Sequence, residues 1–167
     1  MKILKNISLN DETLSAGWVA FTALLLYVFM FAVRLVWAYY DYSNPNFLYD
    51  GYSLINSTDG YRFAAHTKEI LAGLQNPQDG SPGFRPVAVL AAYLAKIGFT
   101  KEWVFFYLPP ILGSLSAVGV LLLGVSVGLP TVGIAGAIFT AVSAGFFVRT
   151  SPGYFDDDML SMVLVVS

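Results

Sequence analysis

The stretch GWVAFTALLLYVFMFAVRLVWAYY, residues 17–40, decides the class of fold. A helix needs about 20 predominantly apolar residues to cross the hydrocarbon core of a membrane, and this stretch carries a single charge, at Arg34. It is too long for a cleaved signal peptide and has no small-residue cleavage site. Aromatic residues gather at its end, between Trp37 and Tyr40, as they do at membrane interfaces. The stretch therefore predicts a retained first membrane span.

The composition of the whole chain agrees with a membrane protein. Of the 167 residues, 56% are hydrophobic and 12% are charged, and the mean hydropathy is +0.65. The net charge is -2 and the nine Lys and Arg form no run or stripe, which argues against a nucleic-acid partner. The chain has no cysteine, so disulfides, thiolate metal sites and cysteine nucleophiles are excluded. Any chemistry must use other side chains.

Two further apolar runs predict a second and a third span. The second covers about residues 103–129 with a kink near Pro109-Pro110, and a tight turn leads into the third, at about residues 130–148. Every fourth residue of the third span is small, which predicts a face for close helix packing rather than a ligand site. That face consists of Gly133, Ala137, Ala141 and Gly145.

A fourth apolar run, residues 159–167, begins a span without completing it. At about 1.5 Å per residue, the run covers less than half of a hydrocarbon core about 30 Å thick. We therefore expect the natural protein to continue beyond Ser167. The predicted fold class is all-α and integral to the membrane, with three full spans and the start of a fourth.

Residues 41–102 are mixed in composition, with prolines among charges and glycines, and are predicted to form a long external loop. Two short helices are expected within this loop. The first would run from about residue 61 to 72, with Thr58 or Asp59 as its N-cap. The second would run from about residue 86 to 98, and its apolar stripe would lie against the membrane surface or a span.

Counting the spans places two polar segments on the same side of the membrane. With three complete crossings, the loop at 41–102 and the segment at 149–158 can face each other. Lys2 and Lys5 favour a cytoplasmic N-terminus under the positive-inside rule. The Lys and Arg residues of the long loop would favour the opposite orientation, but charges in long loops count for little under this rule. Both segments are then expected to be external.

Asp156, Asp157 and Asp158 place three carboxylates between two apolar runs. Unpaired negative charges there repel one another and lose hydration, which a bound cation would offset. Oxygen ligands without His or Cys indicate Mg²⁺ or Mn²⁺, ions that commonly also take phosphate oxygens from a substrate. In an extended turn the first and third side chains would share one face. The alternative is that the aspartates cap the fourth helix, where negative charge is favourable by about 0.3–1 kcal/mol.

Several other polar residues have two interpretations each. Asp59, at a predicted helix start, either caps that helix or acts in catalysis. Arg149, at the edge of a span, either snorkels to the interface or pairs with phosphate. Arg34 is assigned a structural role, and His66 is expected to be solvated or hydrogen-bonded rather than a metal ligand. The Asn-Ser-Thr pattern at 56–58 matches a glycosylation acceptor but is interpreted as loop.

Two acidic motifs occur in a specific order. The sequence NSTDGYRFA, residues 56–64, is followed about ninety residues later by RTSPGYFDDDML, residues 149–160. An aspartate before Gly-Tyr, with Asp-x-Asp after a second Gly-Tyr, resembles the catalytic subunit of oligosaccharyltransferases, and the bacterial single-subunit type in particular. The resemblance covers essentially the whole chain.

The resemblance implies the N-terminal part of a C-type (GT-C) membrane glycosyltransferase. Such an enzyme moves an oligosaccharide from a polyprenyl pyrophosphate carrier to the asparagine of an Asn-x-Ser/Thr sequon. By the same resemblance, Asp59 and Asp156 would bind Mg²⁺ or Mn²⁺ and orient the acceptor amide. Asp158 would support them as a further catalytic and metal-binding carboxylate, and Arg149 would lie near the substrate and bind it. Asp157 receives no role. The implied location is the bacterial inner membrane, with several spans and a site facing the periplasm.

The family's later glutamate, its Trp-Trp-Asp motif and its soluble C-terminal domain would lie beyond residue 167, so we expect residues 1–167 to be inactive alone. Two alternatives remain open. One is another polyprenyl-phosphate-dependent C-type glycosyltransferase, such as a protein mannosyltransferase, although those enzymes lack the second Gly-Tyr-x-Asp-x-Asp pattern. The other is a small transporter or assembly subunit whose acidic cluster binds ions.

Overall fold

The computed structural model describes residues 15–73 and 85–166, and these residues are mostly helical, as the predicted fold class requires. Lys2, Lys5 and Ser167 lie outside the described residues. In chain order the elements are helix α1 at Ala16–Ser43, a 3₁₀ turn at Pro45–Phe47, strands β1 at Leu48–Tyr49 and β2 at Tyr52–Ser53, and helices α2 at Thr58–Leu71, α3 at Pro86–Lys96, α4 at Lys101–Ser126, α5 at Pro130–Val142, α6 at Ala144–Arg149 and α7 at Asp158–Val166.

Helices α1 and α4 are the two in the described residues that are long and apolar enough to cross a membrane. Each begins at a hydroxyl side chain, Ser15 for α1 and Thr100 for α4, that accepts a hydrogen bond from a backbone N–H of the first turn. Pro109 and Pro110 lie inside α4, and the helix continues through both. The two helices correspond to the predicted first and second spans.

The two long helices run antiparallel and pack side by side. Ser116 Oγ lies 3.8 Å from Met30 Sδ, and nearer the loop end the rings of Tyr42 and Phe106 meet edge to face at 5.4 Å. A shared apolar core fills the space between α1, α4 and α5, formed by the buried residues Leu26, Met30, Ala117, Leu121, Ala137 and Ala141. The outer face of α1 stays exposed, as suits contact with lipid or with further helices.

The predicted third span is not one continuous helix. Helix α5 ends at Val142, Ser143 adopts an extended conformation with ψ 120°, and α6 follows. The 13 residues of α5 extend about 20 Å, too short to cross a core about 30 Å thick. Helices α5 and α6 together carry the chain back along α4. The break at Ser143 turns Phe146 and Phe147 towards the guanidinium of Arg34, at 5.3 and 6.0 Å.

The predicted small-residue face is correct for its first three members and wrong for Gly145. Gly133 packs on Gly124 of α4 so closely that a Cβ on Gly124 would lie 2.7 Å from the nitrogen of Gly133. Ala137 and Ala141 are buried. Gly145 has no atom within 4 Å of the position its Cβ would take, because the break at Ser143 moves it off the α5 face.

The external loop contains the two predicted helices, but the first begins earlier than expected. The N-cap of α2 is Ser57, whose Oγ accepts from the N–H of Gly60 at 2.9 Å, so neither Thr58 nor Asp59 is the cap. The extended backbone of Ser57 places its hydroxyl over the first turn. Asp59 therefore lies in the first turn with its carboxylate free of a capping role.

Helix α3 begins at Pro86, as predicted, and packs against a span through its apolar stripe. Val87, Ala88, Ala91 and Ala92 are buried against α2 and α4. This second core sits at the loop end of the molecule and contains Phe63, Ala64, Val87, Ala91, Val104, Phe105, Leu108, Phe155 and Met159. It holds the external loop, the start of α4 and the segment before α7 together.

The external loop also contains a hairpin that was not predicted. Tyr49 of β1 pairs with Tyr52 of β2, and the two residues between them, Asp50 and Gly51, both have positive φ. An Asp-Gly pair between tyrosines is a recognised hairpin signal, so the sequence contained the information.

Candidate active site

The two acidic segments meet at one point of close backbone approach. A Cβ on Gly60, in the first turn of α2, would lie 2.8 Å from the carbonyl oxygen of Phe155. Gly60 directly follows Asp59, and Phe155 directly precedes Asp156. The contact therefore brings together two segments whose aspartates are almost a hundred residues apart in sequence.

Phe155 is the anchor of this contact. Its side chain is fully buried, with its ring 4.8 Å from that of Phe105 in α4 and 6.4 Å from that of Phe63 in α2. Buried aromatic pairs of this kind contribute about 0.5–1.5 kcal/mol beyond the area they bury. The turn that carries Asp156 is thus fixed to a long helix and to the external loop at once.

The aspartates line a small polar cavity, here called the acid cavity. Its volume is about 190 Å³, and its walls are Asp59, Arg62, Phe63, Arg85, Asp156 and Asp157. Arg85 Nη1 lies 3.7 Å from Asp157 Oδ2, and the Arg85 guanidinium also stacks over the ring of Phe63 at 5.1 Å. The cavity thus combines carboxylates with guanidinium groups.

Asp156 is the most buried carboxylate of the cavity, with an exposed fraction of 8%. Burial, together with the neighbouring carboxylates of Asp157 and Asp158, raises the pKa of Asp156 to about 6. The backbone N–H of Asp157, which donates to Asp156 Oδ1 at 2.7 Å, opposes this rise. Positive charge close to Asp156 would stabilise its ionised form.

Asp158 and Arg149 are not among the residues that line the acid cavity. Arg149 Nη1 donates to Asp158 Oδ2 in an ion pair, and this hydrogen bond raises the pKa of Arg149. The prediction that Asp156 and Asp158 share a face differs from the structure, where Asp156 and Asp157 line the cavity together. The reason is that α7 begins at Asp158, so the chain turns there instead of staying extended.

Of the three carboxylates that line the acid cavity, Asp157 is paired with Arg85, so the cavity offers a divalent cation two carboxylates, Asp59 and Asp156, rather than a complete cage. In the part of the chain that the structure describes, no three His, Cys, Asp or Glu side chains are grouped as a metal site. Mg²⁺ is commonly held by one or two carboxylates with substrate phosphates and water completing the shell. Asp59 and Asp156 fit that requirement, and Asp158 is engaged with Arg149.

A hydrogen-bonded group that joins the two loops was not foreseen. The Asn56 side-chain amide donates to Asp41 Oδ2 and to the carbonyl oxygen of Pro152, both at 3.1 Å, and the Asn56 backbone N–H donates to the carbonyl of Gly153 at 2.8 Å. We call Asp41, Asn56, Pro152 and Gly153 the interloop clamp. No local pattern reveals it, because its members are far apart in sequence.

Two other singled-out residues have defined surroundings. Arg34 is fully buried, and its Nε donates to Thr150 Oγ1 at 2.8 Å, consistent with the structural role assigned to it. His66 lies in α2 with a buried Nδ1 that has no hydrogen-bond partner in the described residues, unlike the expected solvated or bonded histidine.

The two arginines of the acid cavity were not singled out from the sequence. Arg62, three residues after Asp59 on the same helix face, could have been found from helical spacing. Arg85 comes from a distant segment and could not.

The family of the chain follows from a comparison with known proteins. A family model described as "Oligosaccharyl transferase STT3, N-terminal" matches residues 44–167, which include the acid cavity and the interloop clamp from Asn56 onwards. The chain belongs to the STT3 oligosaccharyl transferase family. Together with the two long apolar helices, this membership makes the STT3-family chain a membrane protein.

The STT3-family chain also resembles two curated bacterial proteins. Both are named undecaprenyl-diphosphooligosaccharide–protein glycotransferase, one from Campylobacter jejuni subsp. jejuni serotype O:2 and the other from C. jejuni strain RM1221. Each is 29% identical over 159 residues, covering 93% of this chain. The chain spans 22% of the length of these relatives.

Proposed function

We propose that this STT3-family protein transfers an oligosaccharide from a polyprenyl-diphosphate carrier to the asparagine of an Asn-x-Ser/Thr sequon. The observation that carries the proposal is the approach of Gly60 to Phe155, which puts Asp59 and Asp156 on one cavity. The names of the Campylobacter relatives support the donor and the protein acceptor, since they specify an undecaprenyl-diphosphooligosaccharide and a protein.

The chemistry requires acids at the site. An amide nitrogen is a poor nucleophile because its lone pair is delocalised into the carbonyl group. Carboxylates that accept hydrogen bonds from both N–H groups of the acceptor amide weaken that delocalisation and aim the nitrogen at the sugar. Asp59, which is exposed, and Asp156, which is buried, are the two proposed acceptors.

The same two carboxylates are the proposed ligands of Mg²⁺ or Mn²⁺. A divalent cation held there supplies positive charge close to the departing diphosphate. In this proposal Asp158 supports the site indirectly through its ion pair with Arg149, and the half-exposed guanidinium of Arg149 contacts the anionic carrier. Arg62 and Arg85 add cationic groups on the wall of the cavity itself.

The position of the site suits a donor with a lipid tail. The acid cavity lies where loops emerge from α1 and α4, so a diphosphate headgroup can reach it while the polyprenyl chain stays in the membrane. We propose that the complete protein has the C-type glycosyltransferase fold. We also propose that it lies in the bacterial inner membrane with this cavity facing the periplasm.

The experiment exchanges single carboxylates for amides in the intact gene product. Asp59→Asn and Asp156→Asn keep side-chain size but remove the charge, and each is expected to lower transfer to a fluorescent sequon peptide by on the order of 100-fold or more. Removal of divalent cations with EDTA is expected to abolish transfer, and added Mn²⁺ or Mg²⁺ is expected to restore it.

The matched control is Asp50→Asn. Asp50 lies in the same loop but at the hairpin turn, where its φ of 51° is one that asparagine also accepts. This variant is expected to keep normal transfer. Near-normal turnover in Asp59→Asn or Asp156→Asn would contradict the proposed function.

A further inference from the structure

The interloop clamp uses every donor that one asparagine side chain has. An amide NH₂ group carries two hydrogens, and Asn56 places one on Asp41 Oδ2 and the other on the carbonyl of Pro152. With its backbone bond to Gly153, Asn56 ties the end of α1, the external loop and the segment before α7 into one unit.

The clamp is separated by the same short stretch of sequence from each of the two aspartates of the acid cavity. Asn56 is three residues before Asp59, and Gly153 is three residues before Asp156. Three residues of chain extend at most about 10 Å, so a displacement at the clamp is passed on directly to both carboxylates. The clamp thus forms one end of a closed path, with the Gly60–Phe155 contact at the other end.

The backbone of Gly153 is shaped to receive the Asn56 side chain. Gly153 has a φ of 79°, and a Cβ there would lie 2.9 Å from Asn56 Nδ2 and 3.0 Å from the carbonyl oxygen of Leu54. The side-chain amide therefore occupies the space that any other residue at 153 would fill. Close packing of the Asn56 amide on the Gly153 backbone indicates that the Asn56 side chain has one defined position.

The clamp is also fastened to a membrane-spanning helix. Asp41, in the last turn of α1, is buried, and Ser53 Oγ lies 3.5 Å from the same Oδ2 that receives Asn56. A hydrogen bond to a carboxylate is about twice as strong as one between neutral groups. The charged partner therefore holds Asn56 firmly to α1.

We propose that Asn56 is a positioning residue that sets the separation between Asp59 and Asp156. The effect of Asn56 on the reaction rate rests on the proposed function, because the separation of the two aspartates influences a rate only if the reaction takes place at the acid cavity. The geometric part does not depend on that function. Loss of the clamp leaves the aspartates in place in sequence but widens the range of distances between the loops that carry them.

The test measures that range of distances directly. Residues 1–167 contain no cysteine, and any cysteine elsewhere in the intact gene product is replaced by serine for this test. Nitroxide labels are then attached to cysteines introduced at two exposed positions, Ala65 in α2 and Ser161 in α7. Double electron–electron resonance measures the distance between the two labels. It is expected to give one narrow distance distribution with Asn56 present and a clearly broader one in Asn56→Ala. The matched control is Asn46→Ala, an exposed asparagine of the same loop that is outside the clamp.

A second pair of variants keeps the test valid if Asn56→Ala fails to fold. Asn56→Asp sets two carboxylates against each other, and adding Asp41→Asn restores one amide and one carboxylate at that contact. The single variant is expected to broaden the distribution and the double variant to narrow it again. Unchanged widths in Asn56→Ala and Asn56→Asp, or a double variant no narrower than Asn56→Asp, would overturn the proposal.

Kinetics of the same variants separate positioning from the proposed function. Asn56→Ala is expected to lower kcat by about 10- to 100-fold with the acceptor KM changed by less than about twofold, because misplaced catalytic groups slow the reaction without weakening peptide binding. A broadened distribution with kcat unchanged would overturn the positioning role. Absence of transfer even in the unaltered protein would refute the proposed function, while the distance measurement still decides the clamp.

Discussion

At Gly60 a hydrogen atom stands where any other residue would carry at least a methyl group. That methyl group would lie 2.8 Å from the backbone oxygen of Phe155 and 2.5 Å from the side chain of Ile55. The backbone atom cannot move aside without shifting the turn that carries Asp156. The glycine of the Asp-Gly-Tyr motif is thus required by the approach of a distant segment, while its own helix would be better served by alanine.

Gly60→Ala is expected to push the two acidic segments apart. Overpacking of this kind costs about 1–3 kcal/mol, and the displaced aspartates are expected to lower transfer by about tenfold or more. Thermal unfolding and peptide transfer measure the two effects. Gly17→Ala is the control, because Gly17 is also helical but has no atom within 4 Å of its missing Cβ. Equal behaviour of the two variants would show that the close approach has no consequence.

At the scale of elements, the contact between α4 and α5 depends on glycines on both sides. Gly124 and Gly133 let the two backbones touch, as small residues do where helices pack in lipid. The four-residue spacing predicted this face correctly up to Ala141. It failed at Gly145 because sequence periodicity assumes a continuous helix, and the chain is extended at Ser143.

Gly124→Ala is expected to force α5 away from α4, because the new methyl group would contact the Cα of Gly133. The expected loss of stability is about 1–3 kcal/mol, measured by thermal unfolding in detergent. Gly145→Ala, also helical but with open space around it, is expected to be neutral or slightly stabilising. A Gly124→Ala protein as stable as Gly145→Ala would contradict the close contact.

At the scale of the whole molecule, Thr150 lies where three helices meet. Its hydroxyl accepts from Arg34 Nε of α1 and donates to the carbonyl of Phe146 in α6, and its Cβ packs on Gly113 of α4. Arg34 is a buried charge that bonds to neutral oxygens, those of Thr150 and of Met30. This junction links the membrane-spanning pair to the segment that carries Asp156.

Thr150→Val is expected to leave Arg34 Nε without its partner and to cost about 1.5–3 kcal/mol, the range for a hydrogen bond to a charged group. Thr140→Val is the control, since the Thr140 hydroxyl likewise donates four residues back, to Gly136 at 2.8 Å, within its own helix. The difference between the two unfolding free energies measures the link to α1. A difference near zero would show that the link contributes nothing to stability.

The sequence by itself determined the features that depend on neighbouring residues. Runs of apolar residues located α1 and α4, Pro86 marked the start of α3, and the two Gly-Tyr motifs indicated the family. Each of these signals lies within one continuous segment, because helix length, capping and hydropathy are local properties.

Only the tertiary structure decided how those segments combine. It placed Asp157 and two arginines in the same cavity wall as Asp59 and Asp156. It also paired Asp158 with Arg149 in an ion pair, and it joined Asn56 by hydrogen bonds to Asp41 and to the carbonyl of Pro152. These pairings join residues on separate elements, and the one between Asp158 and Arg149 depends on the chain turning at the start of α7. Moving one position along the chain rotates the side-chain direction by roughly 100° on a helix and 180° on an extended strand. A shift of one residue in where a helix begins therefore changes which partner a side chain meets, and no local pattern specifies that partner.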